Sequence, residues 1–451
     1  MLDIAKEITD YWKEHINIVV VIETSNFYFY KNGIYIPYTD TMIKVNMKVW
    51  IDETNEENAG DKEWKNISFS TTLFNQVKNH LHSNMRSLDE FDVYDWRVNC
   101  TNGYIDLRDG TFTPHWKFNE NPYLSFIQIP VNYNEEAKCP NILRFIIDVF
   151  GIDRFPFIYE IIGYMLYKSV KFHKSFIFFG EASSGKTTFI ELVRTFLGYN
   201  NIQDKSIQRI NERFQMGTLR NKLANIYDDL SVKKLKYIQN FKQITTNKTL
   251  TSEIKGIQEP ITWKNFCKQI YTCNKLPEVN ENMDTDFWRR IILIHCTNFF
   301  DNGNKDFDIG EKITTGEEKS GLLNMVIHHF KDLYKRKHFD PRWDNIETVK
   351  GIWQININPM KLFLDECCII TNNEDDYEEA DNFRAQLNAF RKTKNAEGVS
   401  MNMITRRLKD MGIVKKQKGD GNRYYIGIRI TLSFIDKIDK IVLGEMILDE
   451  F

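Results

Sequence analysis

The amino-acid sequence predicts the α/β class, with a central core preceded by a smaller mixed unit and followed by a helical unit. Three observations predict this class. A short apolar strand at residues 175–179 runs into a glycine-rich loop and then into a helix. A second apolar strand, Leu223 to Tyr227, ends in two aspartates. Strand-like and helical periodicities alternate along most of the chain, which is typical of α/β domains.

Composition limits the classes of protein to consider. The chain has 451 residues, of which 42% are hydrophobic, enough for about two to four domains with their own cores. Its net charge is −2, so nucleic acid must be bound by local basic patches. The seven cysteines include no C-x-x-C pair, which argues against a disulfide framework or a cysteine zinc site. Because no apolar run approaches the roughly 20 residues that span a bilayer, we expect a soluble protein in a reducing cytoplasm.

The first 140 residues are expected to form an α/β accessory domain. Apolar residues recur at helical spacing over 1–16, and Asn32-Gly33 sits between aromatic strands as the turn of a hairpin. Downstream we expect a loop at 52–65, a helix at 70–86 and a run of short strands at 99–140. Helical periodicity over 141–169 then leads into the core.

Residues 180–187 read G-x-x-x-x-G-K-T between a strand and a helix, the arrangement of a P-loop. Glycines at 180 and 185 let backbone N–H groups turn toward an anion at a helix N-terminus. Lys186 can reach the β- and γ-phosphates, and the Thr187 hydroxyl can ligate Mg²⁺. An ordinary glycine-rich loop is disfavoured because strand, loop and helix arrive in the required order.

Two polar strand ends follow the loop. Asp228 and Asp229 end the strand at 223–227, where one carboxylate can hold Mg²⁺ and the other can polarise water. Asn274 ends a strand within FCKQIYTCNKLPEV and can orient water against a γ-phosphate. The structural alternatives are a solvent-exposed acidic turn and a turn-forming asparagine.

Basic residues follow in several segments. A basic helix and a polar loop are predicted over 233–250, with Lys255 in a second polar stretch. Arg289 and Arg290 precede a β-prone run. Paired arginines are commonest as solvated surface charge, but in an oligomeric ATPase an arginine can reach a neighbour's transferring phosphoryl group.

The last third of the chain has a different pattern. Helices are predicted over 321–337 and 360–370, and the acidic stretch EDDYEEAD is expected to cap a helix or form a linker. Helix, helix and hairpin follow, with seven Lys or Arg against two Asp between Met401 and Ile428. This order favours a winged helix-turn-helix; a protein-docking winged helix is the alternative. The candidate DNA contacts are Arg406, Arg407, Lys415, Lys416, Lys418 and Arg423.

Together these motifs resemble those of the superfamily 3 helicases, specifically the helicase part of phage, plasmid and poxvirus-type primase-helicases. NGYIDLRDGTFTPH with IPVNYNEEAKCP resembles the domain that precedes the helicase core in that family. GEASSGKTT resembles its Walker A motif, NIYDDL its Walker B motif and YTCNKLPEV its motif C. DFWRRI resembles its arginine-finger segment.

The resemblance implies an AAA+-like P-loop NTPase core at 141–340, an accessory domain at 1–140, and a helical linker with a winged-helix domain at 341–451. ATP would bind to the loop residues Gly180, Glu181, Ala182, Ser183, Ser184, Gly185, Lys186, Thr187 and Thr188. Thr187 and Asp228 would hold Mg²⁺, Asp229 would activate water and Asn274 would be the sensor. Either Arg289 or Arg290 would be the finger, and Lys255 would lie near the DNA channel.

The implied function is ATP hydrolysis by a DNA helicase of phage or plasmid replication, which translocates on single-stranded or forked DNA as a homo-oligomeric ring, a hexamer. The alternative is an ATP-regulated origin-binding initiator with little unwinding, which the winged helix motivates. Relatives often carry a primase-polymerase domain upstream. Because the accessory pattern begins almost at Met1, we expect either a helicase that acts with a separate primase-polymerase or a segment of a longer replication protein.

Overall fold

The computed structural model describes residues 3–57, 67–115, 123–231, 234–235, 238–255, 259–279, 283–301, 303, 306–357, 359–371, 373–393 and 400–431. The chain divides into two compact units. Unit 1 comprises Met1–Asn274 with Val279–Asp344, and unit 2 comprises Lys275–Glu278 with Asn345–Phe451. Among the helices in these described ranges, none has both the length and the apolar character that a membrane crossing requires.

Unit 1 begins with a helix and a four-stranded sheet in the order β3-β2-β1-β4. As predicted, the first residues form a helix and Asn32-Gly33 joins two antiparallel strands. The elements are α1 (Ile4–His15), β1 (Ile18–Val21), β2 (Asn26–Lys31), β3 (Ile34–Pro37), α2 (Asp40–Glu57), α3 (Thr71–Leu81) and β4 (Met85–Arg86).

Two predictions in this region need correction. The loop predicted at 52–65 is wrong over its first residues, because α2 continues to Glu57 and buries Trp50, Ile51 and Thr54 along one face. The remainder, 58–65, lies outside the described residues. The helix predicted at 70–86 ends at Leu81, and Met85 and Arg86 instead pair with β1 as a parallel edge strand.

A three-stranded antiparallel sheet follows, consisting of β5 (Arg97–Asn99), β6 (Gly103–Asp106) and β7 (Phe112–Pro114). The predicted run of strands is therefore confirmed only over its first part. Residues 123–131 form no regular strand, although Ile129 N–H donates to the Asn99 carbonyl oxygen.

The centre of unit 1 is a parallel five-stranded sheet in the order β14-β8-β13-β10-β9, which confirms the α/β class. Its strands are β8 (Ser175–Phe179), β9 (Ile202–Gln203), β10 (Ala224–Tyr227), β13 (Lys268–Cys273) and β14 (Ile291–His295). Every residue of β8 and β13 is buried, as the apolar runs predicted. Strands covered on both faces favour such continuous apolar sequence.

Helices and one hairpin surround this sheet. The helices are α4 (Pro140–Phe150), α5 (Phe155–Leu166), α6 (Lys186–Leu197), α7 (Gln239–Thr246), α8 (Thr285–Trp288), α9 (Ile309–Ile313) and α10 (Gly316–Arg336). Between β10 and β13 the chain forms an antiparallel hairpin of β11 (Thr249–Ser252) and β12 (Ile261–Lys264). The basic helix predicted from 233 is thus shorter where described. One hydrophobic core joins α4, α5, α6 and α10 to the sheet.

Unit 2 has its own hydrophobic core, formed by residues such as Phe363, Leu387 and Tyr425. Its elements are α11 (Ile346–Ile357), α12 (Pro359–Cys367), β15 (Cys368–Ile370), β16 (Tyr377–Glu379), α13 (Ala380–Thr393), α14 (Met401–Asp410), β17 (Val414–Gln417), β18 (Arg423–Ile426) and β19 (Ile428–Ile430). The predicted order of helix, helix and hairpin after residue 380 is confirmed.

The acidic stretch at residues 374–381 meets the expectation of a helix start only at its end, where Asp381 lies in the first turn of α13. Residues Tyr377–Glu379 form the edge strand β16, which pairs with β18 of the basic hairpin. Glu374, just before this strand, forms an ion pair with Lys416 at 2.7 Å. A run of carboxylates is stabilised there because the neighbouring strands supply opposite charge.

Candidate functional site

A cavity of about 620 Å³ opens at the carboxyl edge of the parallel sheet. Parallel strands all end at the same edge, so the residues that follow β8, β10 and β13 meet there. The cavity wall includes the predicted residues Ala182, Ser183, Ser184, Gly185, Lys186, Thr187, Thr188, Asp228, Asp229 and Asn274.

The loop from 180 to 185 needs glycine at both ends. Gly180 has φ +147°, and a Cβ there would lie 2.3 Å from the Cys296 carbonyl oxygen. Gly185 has φ +84°, and a Cβ there would lie 2.6 Å from the side chain of Val149. Only glycine combines these backbone angles with such close approach. The two glycines therefore set the path of the loop around the cavity.

Lys186 is the first residue of α6, and its ammonium group is held inside the loop. Its Nζ donates to the carbonyl oxygens of Gly180 and Glu181, both at 2.7 Å, and to Ser184 Oγ at 2.9 Å. Burial lowers the pKa of this ammonium group from its ordinary value. Gly180 and Glu181 thus position the lysine, while the remaining loop residues line the cavity.

Helix α6 points its N-terminus at the cavity. It begins directly after the left-handed Gly185, and Lys186, Thr187 and Thr188 of its first turn all line the wall. Free N–H groups and the partial positive charge of a helix N-terminus favour an anion at this position. The hydroxyl of Thr187 lies among them as a possible metal ligand.

Asp228 and Asp229 lie opposite this helix end, directly after β10. The hydroxyl of Thr272 donates to Asp228 Oδ1, and Asp229 N–H lies 3.1 Å from that same hydroxyl oxygen. Asp229 takes φ +58°, which turns the chain sharply at the strand end. Thr272 is 1% exposed, so it holds the Asp228 carboxylate from within the sheet.

Sequence reasoning missed Thr272, although a signal for it existed. Strands β10 and β13 pair in parallel with Tyr227 opposite Tyr271, which brings the next residues, 228 and 272, together. Asn274 follows two residues later and also lines the cavity.

The far wall of the cavity was not predicted either. It is formed by Asn141, Arg144, Phe145 and Asp148 of α4, by Phe300, and by Asp306, Ile309 and Lys312 near α9. These residues come from elements with no motif, so no sequence signal could have found them. Their mixture of rings and polar groups suits a larger ligand than a phosphate group alone.

Arg289 and Arg290 do not line this cavity. They precede β14 and therefore lie at the opposite, amino edge of the sheet. Arg290 is only 4% exposed, and its guanidinium donates to Thr246 Oγ1 at 2.9 Å and to the Asp286 carbonyl oxygen. Arg289 is far more exposed, and its Nε donates to Asp286 Oδ1 at 2.8 Å. The two arginines therefore have different environments.

Lys255 also lies away from the cavity. It is exposed in the connection between β11 and β12, three residues after β11 ends at Ser252. Residues 256–258 of this connection lie outside the described residues.

The basic residues predicted in unit 2 lie on α14 and on the β17–β18 hairpin. Arg406, Lys416 and Arg423 are exposed. Lys418 lies over the rings of Tyr377 and Tyr424, and Lys415 lies 5.4 Å from the centre of the Tyr425 ring. Arg407 is partly buried on α14. Because Lys416 pairs with Glu374, part of this positive charge is already neutralised within unit 2.

Comparison with known proteins gives two family matches and several similar structures. Residues 5–151 match the family described as D5 N terminal like, and residues 178–290 match DUF5906, a family of unknown function. No curated protein matches the chain. The A form apo structure of the NrS-1 C terminal region is similar at 14% identity, with a TM-score of 0.47, over 93% of this chain and 98% of that chain. The apo structure of the NrS-1 C terminal region (305-718) is similar at 14% identity, with a TM-score of 0.45, over 94% of this chain and 98% of that chain.

The two family matches fall on different segments of the chain. The DUF5906 match contains every predicted site residue from Gly180 to Arg290. The D5 N terminal like match covers the segment whose motifs resemble the domain upstream of a helicase core. It supports the primase-helicase type for this chain.

Proposed function

We propose that this chain is an ATP-dependent DNA helicase of phage or plasmid replication that translocates on single-stranded DNA as a ring-shaped homo-oligomer. One observation carries the ATPase part of the proposal. A buried lysine, a helix N-terminus and two carboxylates surround one cavity at the carboxyl edge of a parallel sheet. This is the set of groups that binds a nucleoside triphosphate together with a divalent cation.

In this proposal each group has a definite task. The N–H groups of the loop and of the first turn of α6 bind the phosphates, and Lys186 exchanges a loop carbonyl for a phosphate oxygen. Thr187 and Asp228 hold Mg²⁺, which neutralises phosphate charge when bound. Asp229 accepts a proton from the attacking water, and Asn274 orients that water. The far wall of the cavity takes the nucleoside.

Arg289 is the better candidate for the arginine finger. Arg290 is buried and engaged with Thr246 and Asp286, so reaching a ligand would cost its internal hydrogen bonds. Arg289 is exposed, and its guanidinium group pairs with the surface carboxylate of Asp286, an interaction worth about 0–1 kcal/mol. Because neither arginine lines the cavity of its own chain, the finger acts on the nucleotide of a neighbouring subunit. An arginine finger that acts between subunits requires an oligomer, which is why we propose a ring. The resemblance to superfamily 3 helicases suggests that this ring is a hexamer.

In this proposal, basic side chains outside the cavity bind the DNA. Lys255 on the hairpin loop tracks the phosphates of a single strand, and ATP hydrolysis moves this loop along the strand. The basic hairpin and α14 of unit 2, as a winged helix, add contacts to duplex or forked DNA. Such contacts are largely independent of sequence and weaken with salt.

The test is ATP turnover by three variants measured with forked DNA. Lys186→Ala should abolish turnover while the chain stays folded, and retained turnover would refute the site. Arg289→Ala should also lose turnover alone. Mixed with Lys186→Ala subunits, it should regain part of the activity, because each mixed interface can supply one intact lysine and one intact arginine. Arg289→Lys serves as a control that keeps the charge but loses the planar fork.

A second candidate function is an ATP-regulated origin-binding initiator with little unwinding. The helix, helix and basic hairpin of unit 2 favour it. Strong preference for one duplex sequence, together with no strand separation on forked DNA, would select the initiator over the helicase.

A further inference from the structure

Helix α10 carries two histidines and an aspartate whose side chains converge. His328 and His329 precede Asp332 by four and three residues, so all three lie on neighbouring turns of one helix face. One ligand atom from each residue lies within 4.8 Å of the other two. Across the described ranges of the chain, no second group of three His, Cys, Asp or Glu side chains meets this criterion.

The imidazole rings are held in place by their neighbours. The His329 ring stacks on the Tyr159 ring of α5, with the planes 4° apart and the centroids 5.3 Å apart. Phe155 of the same helix meets the His329 ring edge-on at 5.9 Å, and His328 meets it edge-on at 5.0 Å. The ring that lies deepest is thus fixed by packing, while His328 and Asp332 remain exposed and can adjust.

Nearby cations do not compete for this carboxylate. Lys331 directs its Nζ to the Asp109 carbonyl oxygen at 2.7 Å. Arg336 binds the carboxylate of Glu160, also at 2.7 Å. Lys331 and Arg336 therefore bind other acceptors. Lys335, three residues after Asp332, is exposed, and among the described residues it forms no ion pair with Asp332 within 4.0 Å.

We propose that His328, His329 and Asp332 bind one divalent ion of the zinc class. Two imidazole nitrogens and one carboxylate oxygen are ligands that Zn²⁺, Co²⁺ and Ni²⁺ accept, whereas Mg²⁺ and Ca²⁺ prefer oxygen alone. In a tetrahedral zinc site ligand atoms lie about 3.4 Å apart, as metal–ligand distances near 2.1 Å require. Small rotations of the exposed side chains of His328 and Asp332 would shorten the present separations, which are up to 4.8 Å, to this value. At least one coordination position stays open to water or to another molecule.

This site shares no residue with the cavity at the sheet edge. The inference therefore stands independently of the ATPase proposal. Six of the seven cysteines are buried, so the imidazole groups of His328 and His329 are more accessible ligands for a zinc-class ion than these thiols are.

The experiment is calorimetric titration of the full chain with Zn²⁺. Excess Mg²⁺ is present so that it, and not Zn²⁺, occupies the carboxylates of the cavity. The site predicts one Zn²⁺ per chain. The variants His328→Asn and Asp332→Asn should each weaken Zn²⁺ binding at least about tenfold. Replacing even the residues that only support metal ligands typically lowers metal affinity about 10–100-fold. Both positions are exposed, so these variants should fold. His338→Asn, an exposed histidine just beyond α10, is the matched control and should bind as the unmodified chain does.

A Co²⁺ titration gives a readout that does not depend on heat. Visible d–d bands without a sulfur charge-transfer band support imidazole and carboxylate ligation. A sulfur charge-transfer band, no saturable binding by the unmodified chain, or equal affinity in His328→Asn and Asp332→Asn would overturn the site.

Discussion

Thr272→Val should slow ATP turnover because it removes the hydroxyl that holds the Asp228 carboxylate. Valine has nearly the shape of threonine and suits the buried central strand β13, so the fold should persist. The lost bond to Asp228 is one to a charged group, which is worth about 1.5–3 kcal/mol. The Asp229 N–H also loses the Thr272 hydroxyl as an acceptor, but it keeps Asp228 Oδ1 at 3.1 Å. If that bond is needed to place Asp228 in the transition state, turnover falls about 10- to 150-fold, at 1.36 kcal/mol per factor of ten.

The assay is steady-state ATP turnover across a Mg²⁺ titration. A misplaced Asp228 should also raise the Mg²⁺ concentration needed for half-maximal rate. Thr272→Ser keeps the hydroxyl and should stay close to the unmodified chain. Thr272→Val with unchanged turnover at every Mg²⁺ concentration would refute the role of Thr272 as a positioning residue.

Three further predictions concern stability and DNA binding. Arg290→Ala should lower the free energy of unfolding by about 1–3 kcal/mol in urea, because it removes a buried guanidinium group together with its hydrogen bonds to Thr246 and Asp286. Arg289→Ala removes an exposed side chain and should change this free energy by about 0.5 kcal/mol or less. Equal effects of the two substitutions would contradict the assignment of Arg290 as buried and Arg289 as exposed. Glu374→Gln should release Lys416 from its ion pair, so that Lys416 can contact a phosphate. The plot of log binding constant against log salt concentration, measured by fluorescence anisotropy with DNA, should then become steeper by the amount of about one phosphate contact. The control Glu347→Gln loses an ion pair on α11 and should leave this slope unchanged. Burial lowers the pKa of the Lys268 ammonium group well below its ordinary value of 10.5. At pH values between that lowered pKa and 10.5, Lys268 is protonated in the unfolded chain and neutral in the folded chain. The free energy of unfolding therefore rises with pH in this range. Lys268→Met should remove this rise in urea unfolding, and a rise that persists would assign it to another group.

The parts of the site that sequence could predict are local. The loop from Gly180 to Thr187 is a continuous motif, and its glycines are required by φ and by close contacts within a few residues. Asp228 and Asn274 follow apolar strands, and the pairing of parallel strands brings such ends together. Periodicity likewise predicted the order of helix, helix and hairpin after residue 380, but it missed the helix α11 and the strands β15 and β16 before it.

The parts that sequence could not predict depend on packing between distant segments. The far wall of the cavity combines α4 with α9, which are far apart in the chain and carry no motif. Arg289 and Arg290 are adjacent in sequence, and both contact the nearby Asp286. Only Arg290 also bonds to Thr246, which is distant in sequence, and this tertiary contact accompanies its burial. The polar end of α2 was predicted as a loop because its buried face is formed partly by residues that are not apolar, such as Thr54.

The most direct test of the ATP-driven mechanism is ATP turnover by the purified chain with and without single-stranded DNA, with particle mass recorded in parallel. The mechanism predicts turnover that DNA stimulates, in a ring-sized species, and that Lys186→Ala abolishes. Turnover indifferent to DNA in a monomer would contradict it, and would show that the cavity hydrolyses ATP without serving a helicase.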